Sequence, residues 1–179
     1  MKRYQPFLPA ALLVASLLFV FANSAVAQTK LDDATVFAIF DQANDADIRT
    51  GRLGVKLGHS EEVRALGRMV IADHEAVQQM GRDLARKLGI VPVPPANDTS
   101  AESLAKAVAS LQSKSGVEFD RAYLRYEITY HQSVLDAIKG TLLPAVRNDE
   151  FKALITKVLP GFERHLAETK AAAGKLGVR

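Results

Sequence analysis

Apolar side chains recur at spacings of three and four residues through four long segments of this chain, which places them along one face of a helix. Each segment covers about 27 to 30 residues: Leu31 to Gly58, Ser60 to Leu88, Val117 to Val146, and Asn148 to about Gly174. A helix with one apolar face must bury that face against another element. The pattern therefore predicts an all-α fold in which four helices pack around a shared core.

The connections between these segments are short, long and short. The long middle connection contains Pro92, Pro94 and Pro95, which prevent regular structure and favour a crossover along the outside. Thr99 and Glu102 have the spacing of a capping box, which predicts a short helix from about Thr99 to Lys114. We expect a four-helix bundle with an up-down-down-up path and one long crossover that carries a short extra helix.

Three of the four histidines lie on the apolar faces of three different helices. His74 lies in the row of the second helix, His131 in that of the third and His165 in that of the fourth, while Asp47 lies in or beside the row of the first. Metal sites in helical bundles are built from inward carboxylates and histidines of facing helices. The candidate metal ligands are therefore His74, His131, His165 and Asp47, and the candidate supporting acids are Asp73, Glu127 and Glu168.

The identity of a bound metal stays open at this point. Imidazole suits zinc, copper, iron and nickel, and an added carboxylate favours iron or manganese over copper(I). A di-iron oxidoreductase is disfavoured because it needs Glu-x-x-His on two helices, and the residues three positions before the three histidines are Ile71, Ile128 and Phe162. The sequence leaves a mononuclear site or none.

The alternative hypothesis is a metal-free structural or interaction module of the cell envelope. In that case the histidines and acids form a buried hydrogen-bond network that fixes the packing. The tyrosines Tyr123, Tyr126 and Tyr130 are interpreted as packing residues whose hydroxyl groups reach polar partners. The chain shows no nucleophile constellation and no phosphate-binding glycine loop, so no enzyme class is indicated.

The first 27 residues have the pattern of a secretory signal peptide. Lys2 and Arg3 precede an apolar run from Ala10 to Ala22, and small residues follow at positions 25–27. The run is shorter than the roughly 20 apolar residues that span a bilayer. We expect cleavage before Gln28, a single mature domain over residues 28–179, no transmembrane anchor after cleavage, and a periplasmic or exported location.

The net charge bears on possible partners, and the cysteine content bears on stability. The formal net charge is +3, and removal of Lys2 and Arg3 lowers it to +1. The mature chain shows no basic stripe, so nucleic acid is not expected as a partner. It contains no cysteine, so stability in an oxidising compartment must come from packing. An envelope protein partner or a homo-oligomer remains open.

The chain resembles bacterial envelope proteins grouped as domain of unknown function 4142. The resemblance extends from Asp32 to about Leu176, and its strongest motif is Met69 to His74, which follows Val63 to Gly67. Further matching pieces are Asn44 to Ile48, Phe119-Asp120 with Tyr123, His131-Gln132, Leu159-Pro160 and His165-Leu166. Members of that family commonly carry glutamate where this chain has Asp47. The resemblance implies a ferritin-like bundle in the cell envelope, with no established reaction.

Overall fold

All regular structure in the described part of the chain is helical. The computed structural model describes residues 31–178. Its helices are α1 (Asp33–Leu57), α2 (Glu61–Leu88), α3 (Ser100–Gln112), α4 (Gly116–Ala137), a π-helical turn (Ile138–Leu142), α5 (Leu143–Ala145) and α6 (Asp149–Lys175). Helices α1, α2 and α6 and the short crossover helix α3 begin and end close to the positions expected from the sequence, whereas α4 begins close to its expected start and ends at Ala137. The signal peptide expected over residues 1–27 lies outside the described residues.

Side chains just before three of the long helices satisfy free backbone N–H groups. Asp32 accepts from the backbone N of Thr35 at 2.9 Å, Ser60 from Val63 at 3.3 Å, and Asn148 from Phe151 at 3.0 Å. The capping-box prediction at Thr99 was wrong, because its side chain makes no capping bond. Asp98 accepts from the backbone N of Ser100 at 2.9 Å in its place.

The predicted third helix is not a continuous α-helix. After Ala137 the chain forms the π-helical turn, in which the backbone N of Leu143 donates to the carbonyl of Ile138. Pro144 explains this departure, since its ring clashes with the carbonyl four residues earlier, at Gly140, and prevents normal α-helical pairing there. The turn lies beyond His131 and leaves the middle of α4 regular.

Contacts at the helix ends fix the directions of the long helices. The backbone N atoms of Arg147 and Asn148 donate to the carboxylate of Asp33 at 2.8 and 3.0 Å, so α6 begins beside the start of α1. The backbone N atoms of His59 and Ser60 donate to Asp120, each at 2.8 Å, so α4 begins beside the turn between α1 and α2. Hence α1 and α6 run one way and α2 and α4 the other.

Two apolar clusters lie towards opposite ends of the helices. One cluster, towards the start of α1, contains a stacked pair of rings, Phe37 and Phe151, with centroids 3.5 Å apart. The other, towards the start of α2, includes Val63, Phe119 and Leu124, none of which is exposed. The inward histidines occupy the level between the clusters. Both layers remove apolar surface from water, which is the main force that holds the helices together.

The crossover follows the outer side of α1. The backbone N of Val93 donates to the carbonyl of Ala34 at 3.2 Å, and the side chain of Gln42 donates to Asp98 at 2.7 Å. Further along, the buried Leu111 of α3 joins the second apolar cluster. Within residues 31–178, no helix has both the length and the apolar character that crossing a membrane requires.

Glycines allow α1 and α2 to approach closely. A Cβ atom placed on Gly67 would lie 2.7 Å from the carbonyl oxygen of Gly51 and 2.9 Å from the backbone N of Val55. A Cβ atom on Gly54 would lie 2.7 Å from the ring of Tyr123. These glycines therefore allow neighbouring helices to come close to α1, and the approach of α2 brings the polar residues of α1 against His74.

Gly67→Ala is expected to lower the free energy of unfolding by about 1 to 3 kcal/mol, because the new methyl group meets backbone atoms that cannot move aside. Gly161→Ala is the matched control, since a Cβ atom at that helical position meets nothing within 4 Å. The control should be neutral or stabilising by up to about 1 kcal/mol. Urea denaturation of both variants tests this, and equal stability of the two would contradict it.

Candidate metal centre

The three inward histidines predicted from the sequence meet in the core. The ring centroids of His74 and His131 lie 5.7 Å apart, those of His74 and His165 lie 5.0 Å apart, and those of His131 and His165 lie 5.5 Å apart. All three side chains are buried. One ring nitrogen of each lies within 4.8 Å of one ring nitrogen of each of the others, so small shifts of the rings would bring all three to the roughly 2.0 to 2.1 Å of a metal–nitrogen bond.

The tautomer of His74 is set by Asn44 on α1. The Asn44 amide nitrogen donates to the carbonyl of Phe40 at 2.7 Å, so its oxygen is the atom that faces His74. That oxygen lies 2.9 Å from Nδ1 of His74 and must accept a hydrogen bond from it. Nδ1 therefore carries the proton, and Nε2 presents its lone pair to the centre.

His131 is oriented from within its own helix. Its Nδ1 donates to the backbone carbonyl of Glu127 at 3.0 Å, a carbonyl one turn earlier in α4. Its Nε2 is buried and has no hydrogen-bond partner in the described part of the chain. A buried ring nitrogen without a partner is costly, unless a proton donor or a cation approaches it.

His165 is oriented by Asp73 of a different helix. Its Nε2 donates to Oδ2 of Asp73 at 2.8 Å, and Arg164 also pairs with this carboxylate. The other nitrogen, Nδ1, then lies 3.1 Å from Nε2 of His74. Asp73 was expected as a supporting acid, and the histidine that its carboxylate contacts is His165.

Each histidine thus uses its outer nitrogen as a donor and turns its other nitrogen inward. The inward atoms are Nε2 of His74, Nε2 of His131 and Nδ1 of His165. In metal sites, ligating histidines almost always donate their second nitrogen to a carboxylate, a carbonyl or water, which fixes the ring and raises its basicity. Two facing lone pairs at 3.1 Å repel each other, and a proton or a cation between them removes the repulsion.

Two buried carboxylates lie beside the histidines. Oδ2 of Asp47 lies 3.4 Å from Nε2 of His74, and neither oxygen of Asp47 has a hydrogen-bond partner within the described residues. Glu127 accepts from the hydroxyl of Thr50 at 2.9 Å through Oε1, while its Oε2 has no such partner. Asp47, Glu127 and His131 offer atoms within 4.8 Å of one another. Glu127, expected only as a supporting acid, therefore lies in the centre itself.

Burial and mutual charge perturb the titration of these groups. Burial raises the pKa of Asp47 well above 3.8, the charge of His131 opposes this rise, and Glu127 adds to it. Burial alone would lower the pKa of His131, but hydrogen bonding to Glu127 and the charges of Asp47 and Glu127 outweigh it and raise that pKa to about 9. Burial lowers the pKa values of His74 and His165.

Not every residue expected at the site is there, and some were missed. Glu168 is exposed and does not join the centre, because its position on α6 turns it outward beside Glu62 and Lys175 of a surface groove. Asn44 and Thr50 were missed as site residues. Their spacing of three residues on either side of Asp47 is a signal that the sequence did contain.

The tyrosines of α4 pack around the centre. Tyr126 and Tyr130 stack with centroids 5.6 Å apart, and the hydroxyl of Tyr130 donates to the carbonyl of Ala43 at 3.2 Å. The hydroxyl of Tyr123 has no hydrogen-bond partner within residues 31–178. Burial and the charges of Glu127 and Asp47 raise the pKa of Tyr123. The expected polar partner is therefore present for Tyr130 and lacking for Tyr123.

A groove of about 1100 Å³ lies between α1, α3 and α4. Tyr130 belongs to its lining, and its ring centroid lies 6.3 Å from that of His131. Tyr130 therefore separates this groove from the buried histidines, and the groove itself does not contain the candidate ligands.

A comparison with known protein families gives a match over most of the chain. A family model described as Domain of unknown function (DUF4142) matches residues 20–172. No curated protein and no solved structure matches the chain.

The raised pKa of Asp47 predicts a pH dependence of stability in chelator-treated protein. The folded chain holds the Asp47 proton more tightly than the unfolded chain, in which the pKa is near 3.8. The free energy of unfolding contributed by this group therefore falls as pH rises from 3.8 towards the raised pKa. Asp47→Asn should remove that loss, so the variant gains stability relative to the wild type as pH rises.

Urea denaturation across this pH range measures the difference between the two proteins. Asp45→Asn is the matched control, because Asp45 lies on the same helix with 39% of its side chain exposed. This control should follow the wild-type pH profile. Parallel pH profiles for Asp47→Asn and the wild type would contradict the prediction.

Proposed function

The chain belongs to the DUF4142 family, and from its buried centre we propose that it is an exported protein that binds a divalent transition-metal ion. The ligands come from His74, His131, His165, Asp47 and Glu127. The observation that carries the proposal is the hydrogen bonding of the histidines, since each outer nitrogen has an acceptor and each inward nitrogen faces the centre, where a cation can take the place of a proton. The role that we propose for the bound ion is metal handling or protection against oxidative stress.

The donor set restricts the kind of metal. Three imidazole nitrogens with two carboxylates suit iron, manganese, zinc or copper(II), whereas copper(I) prefers sulfur ligands that this set lacks. A divalent cation would also balance the charge of two carboxylates that are otherwise buried with few donors. These residues therefore fit a metal ion in both chemistry and charge.

The rival hypothesis is a metal-free envelope module in which the same residues form a hydrogen-bond network. Such a network stabilises a core only when every member is satisfied. Four ligand atoms have no partner within the described residues: Asp47 Oδ1 and Oδ2, Glu127 Oε2 and His131 Nε2. These atoms favour the metal hypothesis, because a bound cation accounts for them together.

We further propose that the fold is a ferritin-like four-helix bundle. In support, α1 and α6 run opposite to α2 and α4, and the chain between Leu88 and Gly116 crosses over beside α1. The placement of acids and histidines at mid-height also suits this architecture.

The pattern of residues 1–27 supports export by a secretory signal peptide. When the full chain is expressed in a Gram-negative host, intact-mass analysis of the periplasmic fraction should give a chain that begins at Gln28. An unprocessed chain that stays in the cytoplasm would contradict the proposal of export.

The mature protein, purified without a histidine tag, should contain close to one metal ion per chain. The variant with His74→Ala, His131→Ala and His165→Ala should lose it, while His59→Ala should retain it because His59 is exposed and remote from the centre. Chelation should also lower the stability of the wild type, since a ligand at about a hundred times its Kd contributes about 2.7 kcal/mol. Elemental analysis and thermal unfolding provide the two measurements.

The contrary result is wild-type protein that carries no metal and takes up none of iron, manganese, zinc or copper(II). The histidines would then serve as core packing, and the metal-free envelope module would replace the present proposal.

A further inference from the structure

The five candidate ligands form two groups that have only His131 in common. One group, the imidazole position, consists of His74, His131 and His165, and the other, the carboxylate position, consists of Asp47, Glu127 and His131. We infer that the centre holds one divalent cation at either of these two positions, and that the chemical hardness of the cation decides which position it takes. This inference rests on the proposed metal-binding function.

His131 makes the two positions mutually exclusive. Its Nδ1 donates to the backbone carbonyl of Glu127 at 3.0 Å and lies 3.4 Å from Oε2 of the same residue, so a cation bound by His131 at either position must take Nε2 in place of a proton. The Nε2 atom is also the one without a partner. One lone pair can coordinate one cation at a time, and a complete imidazole position therefore leaves the carboxylate position with two ligands.

The two positions differ in the cations that they suit. The carboxylate position has two buried acids, three of whose oxygens have no hydrogen-bond partner in the described residues. Oxygen ligands favour hard cations such as Mn²⁺, whereas imidazole suits Zn²⁺ and Cu²⁺. Two carboxylates match the charge of a divalent cation, while three neutral imidazoles do not. We therefore assign Mn²⁺ to the carboxylate position and Zn²⁺ to the imidazole position.

His74, His165 and Glu127 each keep a hydrogen-bond partner when the cation takes the other position. With a cation at the carboxylate position, His74 and His165 remain 3.1 Å apart through Nε2 and Nδ1, a distance at which one shared proton gives a hydrogen bond. With a cation at the imidazole position, Glu127 keeps the hydroxyl of Thr50. Glu127 and His165 therefore distinguish the two positions best, because each belongs to one group only.

The test is calorimetric titration of the chelator-treated mature protein with Mn²⁺ and, separately, with Zn²⁺. Glu127→Gln should weaken Mn²⁺ binding at least about tenfold and change Zn²⁺ binding by less than about threefold. His165→Gln should do the reverse. Glu168→Gln and His59→Gln are matched controls of the same chemistry at exposed positions, and both should bind as the wild type does.

Competition tests exclusivity directly. Addition of Zn²⁺ to the Mn²⁺-loaded wild type should release Mn²⁺ one for one, seen as the electron paramagnetic resonance signal of free Mn²⁺. Retention of Mn²⁺ beside a stoichiometric Zn²⁺ would show two ions at once and overturn the inference. The inference would also be overturned if Glu127→Gln and His165→Gln each weakened the binding of Mn²⁺ and of Zn²⁺ equally, because that result indicates a single position.

A second pair of variants keeps the test valid if Glu127→Gln or His165→Gln fails to fold. Thr50→Val removes the hydroxyl that holds Glu127, and Asp73→Asn weakens the acceptor that holds His165 from a half-exposed site. Thr50→Val should weaken Mn²⁺ alone and Asp73→Asn should weaken Zn²⁺ alone. If wild-type protein binds neither cation, the proposed function itself fails. If wild-type protein binds both cations but no variant weakens one cation selectively, only the two-position inference fails.

Discussion

The burial of three imidazoles and two carboxylates at one level of the core is the constraint on which the rest of the structure depends. Each buried ionised group costs several kcal/mol unless charge or hydrogen bonding compensates it. The two apolar clusters, one around Phe37 and Phe151 and the other around Val63 and Phe119, supply the hydrophobic free energy that offsets this cost. They also keep water from the polar level, where every electrostatic interaction is strengthened as a result.

Local hydrogen bonds orient the candidate ligands at this polar level. Asn44 sets the tautomer of His74, and Asp73 orients His165 from the neighbouring helix. The close approach at Gly51 and Gly67 allows Asn44 to reach His74, since any Cβ on Gly67 would force α1 and α2 apart. The same packing places Asp47 against His74 without a donor of its own. Helix packing and the geometry of the proposed metal centre are therefore coupled through the α1–α2 interface.

Much of this arrangement could be predicted from the sequence, because helical spacing alone determines which side of a helix a residue occupies. His74, His131, His165 and Asp47 were placed inward in this way. Spacing could not tell which partner each group meets on another helix, so the pairing of Asp73 with His165 was not specified. The inward position of Glu127 and the outward position of Glu168 depend on the rotation of α4 and α6 within the assembled core. The π-helical turn before Pro144 depends on local backbone strain that periodicity does not reveal.

The most direct test of the account is anomalous X-ray diffraction from crystals of the mature protein loaded with one equivalent of Zn²⁺. A single strong peak is expected at the zinc edge among His74, His131 and His165, about 2.0 to 2.1 Å from each inward nitrogen. A peak at the exposed His59, or no peak between the buried histidines, would contradict the claim that these side chains form a metal centre.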